Sequence, residues 1–268
     1  MFVTRFAPSP TGYLHKGHAF SAITAHEAAR AAGGRFLLRI EDIDAARCRP
    51  AYEAGIFEDL AWLGLDWETP VRRQSEHMDD YAAALERLRA EGLLYRCFRT
   101  RAELIASAPH GPMDTFRGGP DPDESARLSA GEPFAWRLSL EAAERRLGGF
   151  EGLTFEADGE RVRARPEVGG DVVLARKDAG VAYHLAATVD DALQGVTCVI
   201  RGVDLKEAAH VQRLLQALLG LPTPTYLHHR LILGPDGKRL AKRDRAQTLR
   251  ELRAAGVTPA DLRRELGL

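Results

Sequence analysis

The chain is poor in cysteine and has no long apolar run. Its 268 residues include only 3 cysteines, Cys48, Cys97 and Cys198, odd in number and far apart. That excludes a disulfide framework and predicts a reducing, cytoplasmic setting. No stretch approaches the roughly 18 apolar residues of a membrane-spanning helix, so no membrane partner is expected. The opening MFVTRFAPSP lacks the apolar stretch and small-residue cleavage site of a secretory signal. Neither GxxxxGK followed by Ser or Thr nor GxGxxG occurs, which removes P-loop kinases and dinucleotide dehydrogenases. Internal repeats and low-complexity tracts are also missing. What remains is ordinary globular composition, 45% hydrophobic and 28% charged with 25 Gly and 14 Pro, which excludes disordered and fibrous classes. At this length one large domain, or one domain carrying an insertion, is expected.

The formal net charge of −1 conceals an asymmetry: from Lys238 onward 9 Lys/Arg face 4 Asp/Glu. A basic tail on an acidic body can hold phosphate or nucleic acid, but on charge alone an ordinary basic helical surface is the better reading.

Helix and strand patterns alternate, predicting an α/β fold. GHAFSAITAHEAARAAGG reads as an Ala-rich helix stopped by Gly33 and Gly34, followed by a strand in RFLLRIEDID that breaks into an acidic loop. Helical patterns follow around Tyr52–Leu63 and Met78–Glu91. From Ala108 to Pro133, Pro109, Pro112, Pro120, Pro122 and Pro133 stand among four glycines without a sustained period, which marks an irregular insertion. Strand-like pieces resume at PFAWRLSL, LTFEA and DVVLARKD. Then YHLA, TVDDALQ, TCVIRG, DLKEAAHVQRLLQALLG and TYLHHRLIL read as strand, helix, strand, helix, strand, an order that suits parallel strands with crossover helices. The end reads as two short helices, the second with Thr258 as N-cap and Pro259 at its first position.

The most informative stretch is Arg5-Phe6-Ala7-Pro8-Ser9-Pro10-Thr11-Gly12-Tyr13-Leu14-His15-Lys16-Gly17-His18. Two prolines and Gly12 fix a turn after a short strand, and Gly17 lets backbone approach a ligand closely. The start of the following helix offers unpaired N–H groups and a partial positive charge, which suit phosphate. His15 and His18, three apart, face one side of that turn and could donate together to a phosphoryl group. Surface or capping histidines are the plainer reading of such a pair, and a zinc pair lacks a nearby third ligand. The whole string resembles the signature of class I aminoacyl-tRNA synthetases, with His-Lys-Gly-His in place of His-Ile-Gly-His, and RFAPSPTGYLHKGHA resembles the glutamyl branch.

Further strings carry the same resemblance. Gly237-Lys238-Arg239-Leu240-Ala241-Lys242 is a cation-rich loop that resembles the family's mobile lysine signature. Arg239 stands where the first lysine usually lies, Ala241 where the serine lies and Lys242 at the second lysine. LRIEDID resembles LRIEDTD, which by resemblance gives Glu41 to the substrate's α-amino group. Tyr183 in VAYHLA matches the tyrosine lining the amino-acid pocket, and Arg201 lies in VDDALQGVTCVIRGVDL, which resembles VDDxxxGVTxVIRGxDL. Glutamate carries two carboxylates, so a selective pocket needs two cationic donors. Arg5 and Arg201 supply them, and glutamine would leave one guanidinium facing a neutral amide.

The resemblance implies a Rossmann-like catalytic domain with an inserted acceptor-type subdomain and a short helical tail. The expected division is 1–95 and 176–245 for the two catalytic halves, 96–175 for the insertion and 246–268 for the tail. Only 26 residues follow Lys242, so no anticodon-binding domain is expected, as in the glutamyl-queuosine tRNA(Asp) synthetases. That family activates L-glutamate with ATP and Mg2+ without tRNA, then transfers it to queuosine in the anticodon loop of tRNA(Asp). The implied sites are His15, His18 and Lys242 for catalysis and Arg5, Phe6, Ala7, Pro8, Ser9, Glu41, Tyr183 and Arg201 for glutamate. ATP falls to His15, Gly17, His18, Arg239 and Lys242. The family's zinc cysteines reduce here to Cys97, so no zinc is expected, and packing with the proline-rich loop must hold the insertion. A monomer is the working expectation. A truncated glutamyl-tRNA synthetase, another HxGH nucleotidyltransferase and a non-catalytic tRNA-binding paralogue are the rival readings.

Overall fold

The structure, a computed structural model, describes residues 1–100, 103, 116–176, 180–233 and 247–268. The chain forms two compact units. One holds residues 1–76, 195–205 and 224–268, the other 77–194 and 206–223.

The first unit opens with β1 (Val3–Phe6), α1 (Lys16–Ala31), β2 (Arg35–Ile40), α2 (Pro50–Trp62) and β3 (Glu68–Arg73). β1 and β3 both pair with β2 in parallel, Arg5 lying opposite Leu37 and Arg39 opposite Arg72. A second parallel pair, β9 (Cys198–Gly202) and β10 (Thr225–His229), sets Arg201 opposite His228. Thr197, just ahead of β9, donates its N–H to the Val3 carbonyl (2.9 Å), and the Val3 N–H donates to Thr197 Oγ1 (2.9 Å), which ties β9 to β1. β2 and β9 are mostly apolar apart from their arginines, and are buried on both faces. α1 packs closely because Ala19, Ala22, Ala25 and Ala29 line its buried side. Gly34 is required where the helix turns into β2, since a Cβ there would lie 2.2 Å from the Phe2 carbonyl oxygen. The core joins Phe6, Leu38, Ile40 and Ile200 to Phe20 and Ile23 of α1.

The tail helices α8 (Leu249–Ala254) and α9 (Pro259–Leu266) close this core with Leu249, Leu252, Leu262 and Leu266. Thr248 and Thr258 are their N-caps, each in a capping box, with Pro259 in the first turn as the sequence predicts. Two of the described tail arginines pair with the body: Arg253 meets Glu58 at 3.2 Å, and Arg263 pairs with Glu27.

In the second unit, α3 (Met78–Ala90), α6 (Tyr183–Leu193) and α7 (Ala208–Leu219) accompany an antiparallel sheet of β4 (Leu94–Cys97), β5 (Ala135–Leu138) and β8 (Val173–Ala175). α4 (Glu124–Ser129), α5 (Leu140–Leu147) and the hairpin β6 (Thr154–Ala157)–β7 (Glu160–Arg163) complete it. One expectation is corrected. YHLA is not a strand but the first turn of α6, which runs on through TVDDAL with every residue from Leu185 to Asp191 buried. Of the proline-rich stretch, Pro109 and Pro112 lie outside the described residues. What the described part shows is a clasp on Asp171, which is 3% exposed. Its carboxylate accepts from Tyr95 Oη (2.9 Å), Gly118 N (2.8 Å) and Leu140 N (3.0 Å). Burial beside that carboxylate pushes the Tyr95 phenol well above its ordinary range. Arginines stack on rings around the clasp, Arg96 lying 4.7 Å from the Trp136 centroid and Arg127 4.8 Å from Phe98.

Candidate active site

Side chains alternate across a strand. Phe6, Phe36, Leu38, Ile40, Cys198 and Ile200 all belong to the core that contains α1, so the intervening residues of β1, β2 and β9 project to the opposite face. Those residues include Arg5, Arg39 and Arg201, which are 5%, 0% and 4% exposed. Three buried guanidiniums on one sheet face are costly unless anionic groups or fixed acceptors meet them. Glu41, just past the end of β2, is one such group: Arg39 Nη2 donates to its Oε1 at 3.0 Å. The Arg201 guanidinium lies 5.0 Å from the centroid of the Tyr226 ring, a stacking that fixes its plane. Burial pushes the Cys198 thiol up to about 11 against the opposing pull of Arg5, which makes it a packing group and not a nucleophile.

The loop after β1 is tied to this end of the sheet. Glu41 donates its N–H to the Pro8 carbonyl (3.0 Å), and Thr11 donates to the Ser9 carbonyl (2.8 Å). Pro8 is buried, Ala7 and Ser9 half-buried, while Phe6 turns into the core. The neighbouring acids are engaged elsewhere: Asp42 accepts from Ser75 N (2.8 Å) and Oγ (2.6 Å), and Asp44 pairs with Arg47.

The two histidines form the cap of α1. Gly17 donates its N–H to His15 Nδ1 (3.1 Å), and His15 donates its own N–H to His18 Nδ1 (3.1 Å). The ring centroids are 3.8 Å apart. Because each Nδ1 accepts, the proton of each neutral ring sits on Nε2 and makes that atom a donor. Capping and phosphate binding are therefore compatible here: one nitrogen holds the turn, the other is a donor at the positive end of a helix dipole. Gly17 matters for a reason the sequence did not suggest. A Cβ there would sit 3.0 Å from His15 Cε1, so the glycine admits the ring. The tail braces the same turn, with a bridge between His15 and Thr248 and Leu249 N–H donating to the Leu14 carbonyl (2.8 Å).

The structure thus gathers Arg5, Glu41 and Arg201 on one face and pairs His15 with His18. Tyr183 lies in the other unit, as the first residue of α6, half-buried with its ring against His184. Arg239 and Lys242 lie outside the described residues. Sequence reasoning missed Arg39, whose signal was a lone guanidinium inside an otherwise apolar strand. No described group of three or more His, Cys, Asp or Glu is placed to hold a metal ion. Among the described residues no helix is long and apolar enough to cross a membrane.

The family model for the catalytic domain of class I tRNA synthetases (E and Q) matches residues 1–115 and 154–268. A protein of Rhodobacter capsulatus named glutamyl-Q tRNA(Asp) synthetase is 49% identical over 99% of this chain and 100% of its own length. Its namesake from Symbiobacterium thermophilum is 46% identical over 97% of this chain and 83% of its own. The crystal structure of a glutamate tRNA ligase from Elizabethkingia meningosepticum in complex with its amino acid is similar with a TM-score of 0.74 and 29% identity. That match covers 91% of this chain and 52% of the ligase, so the chain spans about half of that solved structure. The chain belongs to the class I tRNA synthetase family (E and Q) and, within it, to the glutamyl-Q tRNA(Asp) synthetases.

Proposed function

We propose that this protein activates L-glutamate with ATP in the absence of tRNA and transfers the glutamyl group to queuosine in the anticodon loop of tRNA(Asp). The observation that carries the reading is the charge pattern of one buried face. Arg5 and Arg201 match two carboxylates and Glu41 matches an ammonium, which is the charge set of glutamate. The names of the relatives supply the acceptor.

In the first step the α-carboxylate of glutamate attacks the α-phosphorus of ATP. The bond to the bridging oxygen breaks, and its electron pair leaves with pyrophosphate. Arg5 and Arg201 orient the nucleophile, while His15 and His18 donate from Nε2 to phosphate oxygens as charge builds. Lys242 and Arg239, in the cation-rich stretch, are assigned to the departing pyrophosphate. Magnesium would arrive on the triphosphate oxygens and neutralise part of their charge. In the second step a queuosine hydroxyl attacks the carbonyl of the mixed anhydride and AMP leaves. A monomer suffices for both steps.

The test is pyrophosphate exchange with glutamate, glutamine or aspartate without tRNA, then transfer to queuosine-containing tRNA(Asp), to the same tRNA with guanosine, and to tRNA(Glu). Exchange only with glutamate and transfer only to the first acceptor are expected. Equal exchange with glutamine overturns the pocket assignment. Charging of tRNA(Glu) alone identifies a truncated glutamyl-tRNA synthetase instead.

A further inference from the structure

The proposed recognition of glutamate uses Arg5, Arg201 and Glu41, yet a third arginine lies on the same sheet face and is the most deeply buried of all. Arg39 is 0% exposed. Its place follows from β2 itself: Phe36, Leu38 and Ile40 belong to the core, so Leu37 and Arg39 project to the other side, where Leu37 lies opposite Arg5 in the parallel register. Arg39 Nη2 reaches Glu41 Oε1 at 3.0 Å, and the two side chains are 0% and 10% exposed. We infer that Arg39 is the positioning residue for Glu41, and that this buried guanidinium–carboxylate pair sets the selectivity of the site for substrates carrying an α-amino group.

The argument is one of charge in a dry place. A carboxylate removed from water keeps its negative charge only beside a cation, and it keeps one orientation only if that cation is itself fixed. Arg39 satisfies both conditions. It sits within a strand paired on both sides, by β1 and by β3, and has no solvent route along which to swing. A lysine there would supply charge on a flexible stem, without the planar guanidinium whose Nη2 meets Glu41 Oε1 from a fixed direction. Glu41 is also held from its backbone, its N–H donating to the Pro8 carbonyl at 3.0 Å. Side chain and main chain are therefore fixed by different partners before a ligand arrives, which is the preorganisation that amine recognition needs. Arg39 consequently acts on the ammonium end of the substrate, through Glu41, and not on either carboxylate.

This inference rests on the proposed glutamate activation, and the experiment separates the two. Glutamate-dependent pyrophosphate exchange gives the KM for glutamate. Competition by glutarate, which keeps both carboxylates and lacks the amine, gives an inhibition constant that does not involve Glu41. The variants are Arg39→Met, Arg39→Lys, Glu41→Gln and the double Arg39→Met/Glu41→Gln. Arg39→Met is expected to raise the glutamate KM by about 10- to 100-fold, the factor carried by a charge-assisted hydrogen bond. Glutarate inhibition and the ATP KM should stay near the parent values, with Arg39→Lys falling between. The double variant should match Glu41→Gln alone. It leaves no unpaired buried charge, so it decides the matter even if Arg39→Met does not fold. Parallel weakening of glutarate and glutamate would overturn the inference, since Arg39 would then grip a carboxylate. An unchanged glutamate KM in Arg39→Met, or a loss in the double variant beyond that of Glu41→Gln, would overturn it as well. Absence of glutamate-dependent exchange in the unaltered protein would defeat the proposed function itself, and the inference with it.

Discussion

Asp59 offers a test of the energetics that does not depend on activity. It lies on α2, is 1% exposed, and neither carboxylate oxygen has a hydrogen-bond partner among the described residues. Burial is the main cause that pushes its pKa from 3.8 up to about 6; Glu58 adds to the shift, and Arg253 and Arg250 of the tail oppose it. Neither arginine closes on Asp59: Arg253 Nη2 donates to Glu58 (3.2 Å) and Arg250 Nη1 to Tyr13 Oη (3.1 Å). The sign follows from the direction. Below about 3.8 the group is protonated folded or unfolded; between there and about 6 only the folded chain keeps the proton, so stability falls as pH rises. Above about 6 the fold carries the whole cost of a buried carboxylate. At about 1.4 kcal/mol per pH unit, that gap amounts to ~3 kcal/mol.

Asp59→Asn keeps the shape and removes the titration. Its own burial cost does not depend on pH, so the stability difference between variant and parent should move by ~2.4 kcal/mol in the variant's favour between pH 4 and pH 7.5, the remainder of the gap lying below pH 4. Urea unfolding at four pH values, followed by fluorescence of the nearby Trp62 and Trp67, measures it. A difference that stays flat across that range would refute the reasoning, because Asp59 would then ionise alike in both states.

Gly17→Ala should lower kcat for pyrophosphate exchange by about tenfold or more at near-unchanged thermal stability, since the new methyl displaces His15 within the turn it caps. Asp171→Asn should destabilise the second unit by about 2–3 kcal/mol, seen as faster limited proteolysis within 116–176, because three donors lose a charged acceptor. Chelation by EDTA should leave that proteolysis pattern unchanged, and elemental analysis should find no stoichiometric zinc. Lys242→Ala should lower kcat by about a hundred- to a thousandfold with little effect on the glutamate KM, with Arg239→Ala milder and Ala241→Ser tolerated. The reverse ranking in steady-state exchange would show that the loop is aligned wrongly.

The first unit was readable from sequence because its elements announce themselves locally. An Ala-rich helix ends at two glycines, RFLLRI is mostly apolar and sets Phe36, Leu38 and Ile40 on one face, and Thr258-Pro259 starts the last helix by cap chemistry alone. The misses were elements whose identity is settled elsewhere in the chain. YHLA alternates well enough for four residues, and only its continuation into TVDDAL, buried from Leu185 to Asp191, makes it a helix. β3 carries Glu68, Pro70 and Arg73, poor strand formers that pair only because β2 offers a free edge. β4 and β7 likewise gain their partners from β5 and β6.

The site divides along the same line. The residues proposed to contact the ligand stood out because charged residues at strand ends and histidines at a helix start are not where packing alone would place them. Groups that hold those residues in place have no such signal. Arg39 reads as one odd letter in a strand, Asp171 as one acid among many, and Gly17 as a turn glycine. Each acquires its meaning from a second residue distant in sequence or hidden by a face: Arg39 from the parity that sets it under Glu41, Asp171 from Tyr95, Gly17 from the ring of His15. Parity is the readable part. Once Phe36, Leu38 and Ile40 are assigned to the core, Arg39 must fall on the face of Arg5, and a buried arginine beside a site glutamate follows from counting residues along one strand.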